Sequence, residues 1–474
     1  MRIPLILNTG GYVLVITGCV KVSIALTGLL YLEHDALWLL VAALITISLG
    51  LTLINKRGSR KGYTAREGFM AVTTAWILAS ACGAIPYLLT NTCDSPVDAF
   101  FESISGFTTT GATVIPALEE VSRTIILWRS TTQWLGGLGI ILLFIIILPE
   151  IPGSIHLFHA ETSGPNPHSF KPRLKETLGF LVIIYLALTV IQVFFLILVG
   201  EMTAFQAIIH SFSTVSTGGF SSQNYSISAF NHNLIDAVII VFMFLSGINF
   251  HLYYLLLSPG RKKITYNTEF IAYLGLVLIT TLLLTLHLWQ KIYPELSLSL
   301  RYSLFQTVSI ITTTGFSTVD YDGWSGFART LLLLLMFIGG CSGSTAGGIK
   351  IARISILLRL AGKEIISMAG YRTRKKEDQQ ETGILFFFLI YLIIFAFLVL
   401  GLTYLELDFV SAFSATAACL GNIGPGLELV GPLSNYADLG PAIKLLLSLA
   451  MLLGRLEIYA VLIFFLPNSP KKVN

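Results

Sequence analysis

The chain has 474 residues, 54% of them hydrophobic and only 12% charged, with a formal net charge of +4 and a mean hydropathy of +0.78. A soluble chain of this size carries about twice that density of charge. A soluble protein is therefore excluded, and no nucleic-acid partner is expected. Five cysteines (Cys19, Cys82, Cys93, Cys341 and Cys419) are scattered without a CxxC pair, so neither a disulfide framework nor a zinc site is expected.

Apolar stretches long enough to cross a bilayer recur along the whole chain. Ten are read: 11–32, 35–54, 68–90, 122–148, 176–199, 233–257, 268–289, an interrupted 327–370, 383–404 and 438–466. Arg2 and Ile16-Thr17-Gly18-Cys19 loosely resemble a signal peptide with a lipoprotein cleavage site. The apolar run continues to Leu32, broken only by Lys21, so a retained helix is preferred.

Between spans lie shorter apolar segments, each followed by small polar residues and glycine. Residues 95–108, opened by Ser95-Pro96, read as a re-entrant helix. Equivalent pieces are 204–214 after Met202-Thr203, then 298–310 and 408–420. At 10–14 residues such pieces are too short to span. The sequences that follow nearly repeat: SGFTTTGAT at 105–113, STVSTGGFS at 213–221, SIITTTGFS at 309–317 and CLGNIGPGL at 419–427. With Gly111, Gly218, Gly315 and Gly424 taken as equivalent, the spacings are 107, 97 and 109 residues.

The expected fold is an all-α polytopic membrane protein of four pseudo-repeats, each a span, a pore helix, a filter loop and a second span around one pore. The expected divisions are two extra N-terminal helices (1–66) and repeats at 67–172, 173–264, 265–378 and 379–474. Non-helical backbone at membrane depth is tolerated only where it lines a cavity. Glycine permits φ > 0, and a ring of carbonyls can replace the hydration shell of a monovalent cation. Helix ends capped by Gly and Thr would explain one such site. Four at near-constant spacing favour the ring.

Charge gives the orientation. Basic residues concentrate in four connections: Lys56, Arg57, Arg60, Lys61 and Arg66; Lys171, Arg173 and Lys175; Arg261, Lys262 and Lys263; Arg372, Arg374, Lys375 and Lys376. Regions 91–121, 200–232 and 405–437 hold no Lys or Arg, and 290–326 holds only Lys291 and Arg301. The positive-inside rule places the basic connections in the cytoplasm and all four polar loops on the outer side. A secondary transporter with inverted repeats would alternate its half-helices between the two sides.

The span 327–370 is interrupted by Gly339-Gly340-Cys341-Ser342-Gly343-Ser344-Thr345-Ala346-Gly347-Gly348, whose five glycines cannot hold a helix. It is expected to unwind at mid-membrane. The stretch Gly343–Lys350 departs from a P-loop, because Ile349 separates the last glycine from Lys350. No nucleotide site is expected on this chain. Cys341, Ser342 or Ser344 as an intramembrane nucleophile would need His210 or His251 as base. That enzyme reading leaves the fourfold repeat without a role. Arg455, midway along the last span, is expected to face a cavity or a partner such as Glu457. Lys350 either faces the loop or snorkels. Gln133, Gly136, Gly137, Gly139, Gly247, Asn249 and His251 are expected in helix packing, with Asn249 also a candidate cavity residue. His156, His159 and His168 are expected to be solvated loop residues.

The motifs TTTGAT, STGGFS, TTTGFS and GNIGPG, with GGCSGSTAGGIK at 339–350, make the chain resemble the Trk/Ktr/HKT superfamily of potassium transporters, nearest its bacterial TrkH/TrkG branch. The resemblance covers essentially the whole chain. It implies potassium-binding filter segments at Thr109-Thr110-Gly111, Ser216-Thr217-Gly218, Thr313-Thr314-Gly315 and Asn422-Ile423-Gly424, the last departing from the Thr-Gly pattern. Glycine at all four positions implies preference for potassium, where serine in the first implies sodium. It implies too that Gly339–Gly348 is a pore-blocking intramembrane gate, with Arg455 and Lys350 beside it. The expected setting is the bacterial inner membrane, as a homodimer regulated by a cytosolic, TrkA-like nucleotide-binding subunit. Proton- or sodium-coupled symport is the alternative to a channel.

Overall fold

In the computed structural model of the chain, the described residues are 2–54, 64–147, 170–257, 267–369 and 379–465. The basic residues 56–61, 261–263 and 372–376 and the histidines 156, 159 and 168 lie outside them. The fold is all-helical, with 17 α-helices among the described residues. Two lead: α1 (Ile3–Leu30) and α2 (Asp35–Ile54). They pack through small residues. A Cβ on Gly11 would lie 2.8 Å from the Gly50 carbonyl oxygen, so the backbones meet closely. Lys21 ties this pair to the remainder of the protein. Its Nζ donates to Thr46 Oγ1 (2.8 Å) and to the Cys82 carbonyl (2.7 Å), and it sits 5.0 Å over the Trp128 ring.

Four units of one plan follow. The first is α3 (Ala65–Leu89), the short α4 (Pro96–Phe107) and α5 (Arg123–Ile147). The second is α6 (Phe170–Leu198), α7 (Ala204–Val215), then α8 (Asn233–Ser246) and α9 (Phe250–Leu257). The third is α10 (Thr268–Leu288), α11 (Leu296–Ile311), α12 (Gly326–Leu335) and α13 (Ile351–Met368). The fourth is α14 (Gln379–Tyr404), α15 (Phe409–Leu420), α16 (Pro441–Arg455) and α17 (Tyr459–Phe465). Each short helix packs on the first helix of its own unit.

Local chemistry starts three of the short helices. Ser95 Oγ accepts the Asp98 N–H, with Pro96 in the first turn. Thr203 and Gln206 form a reciprocal capping box, and Asp408 accepts the Ser411 N–H at 2.9 Å. Glu295 starts α11 without a side-chain cap.

Among the described residues, six helices are long and apolar enough to cross a membrane, or seven with the bent pair α8 and α9. The structure corrects three stretches. Helix α1 begins at Ile3 rather than residue 11, because apolar residues 3–7 continue the helix behind Pro4. The stretch 233–257 bends by 90° between α8 and α9. The stretch 438–466 breaks at Leu456–Ile458, where Glu457 and Ile458 take left-handed φ of 54° and 61°. Exposed Val190, Ile279 and Phe397 show that α6, α10 and α14 turn apolar faces outward. The short helices are buried at the centre.

Candidate pore and its plug

The four short helices end alike. After α4, the Thr109 N–H donates to Gly106 O (2.9 Å) and Thr110 N–H to Ser105 O (2.9 Å). After α7 the same pair is Thr217 to Thr214 O and Gly218 to Ser213 O; after α11, Thr313 to Ile310 O and Thr314 to Ser309 O; after α15, Asn422 to Cys419 O and Ile423 to Ala418 O. Thr109, Thr217, Thr313 and Asn422 all have left-handed φ, between 53° and 56°. Two residues on, Gly111, Gly219, Gly315 and Gly424 have φ of 86°, 78°, 79° and 102°. A threonine in that region costs about 1–2 kcal/mol. Three threonines at equivalent positions, with Asn422 at the fourth, mark a backbone that the surrounding structure enforces.

This pattern shifts one segment. The second is Thr217-Gly218-Gly219, not Ser216-Thr217-Gly218; Ser216 is the C-cap of α7, in the place of Thr108. The Ser-Thr-Gly string matches Thr-Thr-Gly by letter, but the second glycine of the pair takes the positive φ. The fourth segment, which lacks the Thr-Gly pattern, keeps its register at Asn422-Ile423-Gly424.

The loops close on one another in cyclic order. A Cβ on Gly111 would lie 2.2 Å from Gly218 O; on Gly219, 1.9 Å from Thr314 O; on Gly315, 1.8 Å from Ile423 O; on Gly424, 2.6 Å from Thr110 O. No side chain fits at these four places.

Side chains behind the ring hold it. Eight residues before each central carbonyl stand Glu102, His210, Gln306 and Ala415. Glu102 accepts the Val114 N–H (2.9 Å) and the Thr113 hydroxyl. His210 bonds Ser221 Oγ (3.1 Å), and Gln306 Nε2 donates to Thr318 Oγ1 (3.3 Å). Where alanine stands, the Tyr436 hydroxyl donates instead to Gly424 O (2.7 Å). Arg129 and Glu102 form a buried ion pair at 2.5 Å. Arg129 also donates to Ser221 O (2.8 Å), joining the first loop to the second. Gln133 donates to Gly218 O (2.5 Å) and accepts the Phe220 N–H (3.0 Å). Sequence reasoning placed Gln133 in helix packing and missed the Arg129–Glu102 pair. A basic and an acidic residue facing inward within one predicted unit were the available signal.

Against the ring, residues 336–350 form an irregular loop between α12 and α13. Its neck closes where Gly339 N–H meets Ile349 O (2.8 Å) and Ile351 N–H meets Gly340 O (3.3 Å). The Gly347 N–H donates to Thr313 Oγ1 (2.6 Å), and a Cβ on Gly347 would lie 2.5 Å from Gly421 O. Thr345 Oγ1 donates to Val215 O (3.0 Å). The Cys341 N–H donates to Gly247 O and Gly343 O accepts the Phe250 N–H, so the break in α8/α9 pairs with the loop. Asn249 lies at that break and accepts the His251 N–H. The loop therefore touches residues in or beside three of the four ring segments, at Thr313, Gly421 and Val215. Arg455 donates to Thr345 O (2.9 Å) and to Gly136 O (3.1 Å). Glu457 pairs with Arg353 at 2.5 Å. Lys350 Nζ folds back onto Ala346 O. Ser344 Oγ donates to Cys341 O (2.6 Å), and His210 is bonded to Gln206 O and Ser221, away from the loop.

Comparison with known proteins agrees with this geometry. The TrkH family, described as a cation transport protein, matches residues 39–473. The Trk system potassium uptake protein TrkH of Escherichia coli (strain K12) is 36% identical, covering 90% of each chain. That of Vibrio parahaemolyticus is 35% identical over 99% of each. The crystal structure of the potassium transporter TrkH from Vibrio parahaemolyticus superposes with a TM-score of 0.89 at 34% identity, covering 98% of this chain and 99% of the other. These relatives are named for transport, not catalysis. The chain is a multi-pass membrane protein and belongs to the TrkH family of cation transport proteins.

Proposed function

We propose that this protein takes up potassium through the ring of Thr109-Thr110-Gly111, Thr217-Gly218-Gly219, Thr313-Thr314-Gly315 and Asn422-Ile423-Gly424. The observation that carries the reading is cyclic closure, each positive-φ glycine resting on the next segment's carbonyl. Alternating left- and right-handed backbone turns successive carbonyls toward one axis, where they substitute for the water around a dehydrated cation. The names of the relatives supply potassium as that cation. The loop Gly339–Gly348 is the gate. It bonds Thr313 directly beneath the ring, and Arg455 adds a positive charge to the blocked path.

The working assembly is a homodimer in the bacterial inner membrane, with its basic connections in the cytoplasm. A cytosolic, TrkA-like nucleotide-binding subunit drives the gate, and this chain itself binds potassium rather than nucleotide. The test is expression in a bacterial strain that lacks potassium import. Rescue of growth at low potassium is expected. Equal rescue by a variant with Gly315→Ala would remove the filter from the reading.

A further inference from the structure

Glu269 is a buried carboxylate that the transport reading does not use. It lies in the first turn of α10 and is only 7% exposed. Its own helix does not need it, because Asn267 Oδ1 already accepts the Phe270 N–H at 2.9 Å. Its Oε1 instead accepts the Ser342 N–H at 2.6 Å, from the loop beneath the ring. The same carboxylate faces the Ser342 hydroxyl, the Ala352 N–H and the Lys350 side chain. Ala352 is the second residue of α13, and a helix N-terminus favours a nearby anion. The buried acid thus bonds the loop at Ser342 and lies near Ala352, just past the loop's other end. A charge placed inside a membrane protein is costly and is ordinarily kept there by function.

We propose that Glu269 is a positioning residue of the gate: its carboxylate pins the loop at Ser342, opposite the pin that Arg455 supplies at Thr345. This rests on the gate reading above. The loop leaves the pore only when the carboxylate releases the Ser342 N–H. Arg455 approaches from α16 and Glu269 from α10, so the loop is held from two sides.

The test uses Glu269→Gln in the full chain, purified and reconstituted in vesicles. The amide keeps the shape but loses the charge and one acceptor oxygen. Loss of a charge-assisted hydrogen bond from the closed state alone is expected to raise basal potassium flux roughly tenfold, with the potassium-to-sodium ratio unchanged. A second readout is the natural thiol of Cys341, buried beside Ser342. With the other four cysteines replaced, its alkylation is expected to quicken roughly tenfold. Glu269→Asp keeps the charge one methylene short and is expected to fall between wild type and Glu269→Gln. It carries both readouts if the glutamine variant does not accumulate. Unchanged flux and unchanged alkylation, alongside raised flux in Arg455→Ala, would overturn the role of Glu269 and leave the gate standing. No rise in either variant would overturn the gate and this proposal together. A changed ion ratio with unaltered Cys341 reactivity would place Glu269 at the filter and overturn the proposal.

Discussion

The four loops of the ring and the four second helices come from the same repeated unit, yet only the loops keep its symmetry. Each loop has a left-handed residue, a central carbonyl and a positive-φ glycine in the same order, although the residues differ from Thr-Thr-Gly to Asn-Ile-Gly. The second helices diverge. Helix α5 is unbroken, α8 and α9 meet at 90°, α12 and α13 are parted by residues 336–350, and α16 and α17 by Leu456–Ile458. The ring repeats one backbone geometry from every side. The third unit departs most, with the loop 336–350, and breaks in the second and fourth meet that loop at Gly247 and Arg455.

The largest effect that can break this comparison lies within the second loop. At Gly219 a Cβ meets the Thr314 carbonyl and the backbone has φ of 78°. At Gly218 the atoms nearest a Cβ are the amide end of the Gln133 side chain. Gly219→Ala is expected to reduce potassium uptake roughly 100-fold and Gly218→Ala roughly tenfold or less. The reverse order would restore Gly218 as the equivalent of Gly111.

The next effect concerns what holds the ring. Arg129→Met leaves Glu102 buried without its partner and is expected to cost about 3–5 kcal/mol of stability. Thermal unfolding of the purified protein measures it, and adding Glu102→Gln is expected to restore part of the loss. An unchanged midpoint would show that the pair does not brace the loops. Smaller, and confined to the asymmetric half, is Arg455→Ala. Loss of its bond to Thr345 is expected to raise basal flux roughly tenfold at unchanged ion preference. Unaltered basal flux at normal expression would reject Arg455 as part of the gate.

The smallest effect lies outside the long helices, in the turn Tyr321–Gly323. Burial lifts the Asp322 carboxyl from the ordinary carboxylate range to about 6, against the hydrogen bond it accepts from the Glu428 N–H. The folded state thus favours the protonated acid. The contribution of this group to stability is full below the ordinary carboxylate range and is lost as pH rises through about 6. Wild type is expected to lose thermal stability relative to Asp322→Asn between pH 4 and about 6, and parallel curves would contradict this.

Much of this architecture could be read from residue order alone. Ser95-Pro96 and Thr203 announced their helices, and the five glycines after Phe337 announced the break. These signals are local. The second loop was misplaced by one residue because paired glycines look alike until φ separates them. Arg129, Gln133 and Glu269 act across 27, 85 and 73 residues of sequence, and no spacing rule links such positions before the chain is packed. The bend at Gly247–Asn249 escaped for a related reason: its freed backbone groups are satisfied by Cys341 and Gly343, another unit's loop.

The most direct measurement of the central claim is the ratio of potassium to sodium flux in vesicles holding the purified protein, wild type against Gly111→Ser. The serine Cβ falls 2.2 Å from the Gly218 carbonyl oxygen, so it must disturb the ring. Potassium preference in wild type that falls toward sodium in the variant is the predicted result. The same ratio in both proteins would contradict the ring as the place where the ion is chosen.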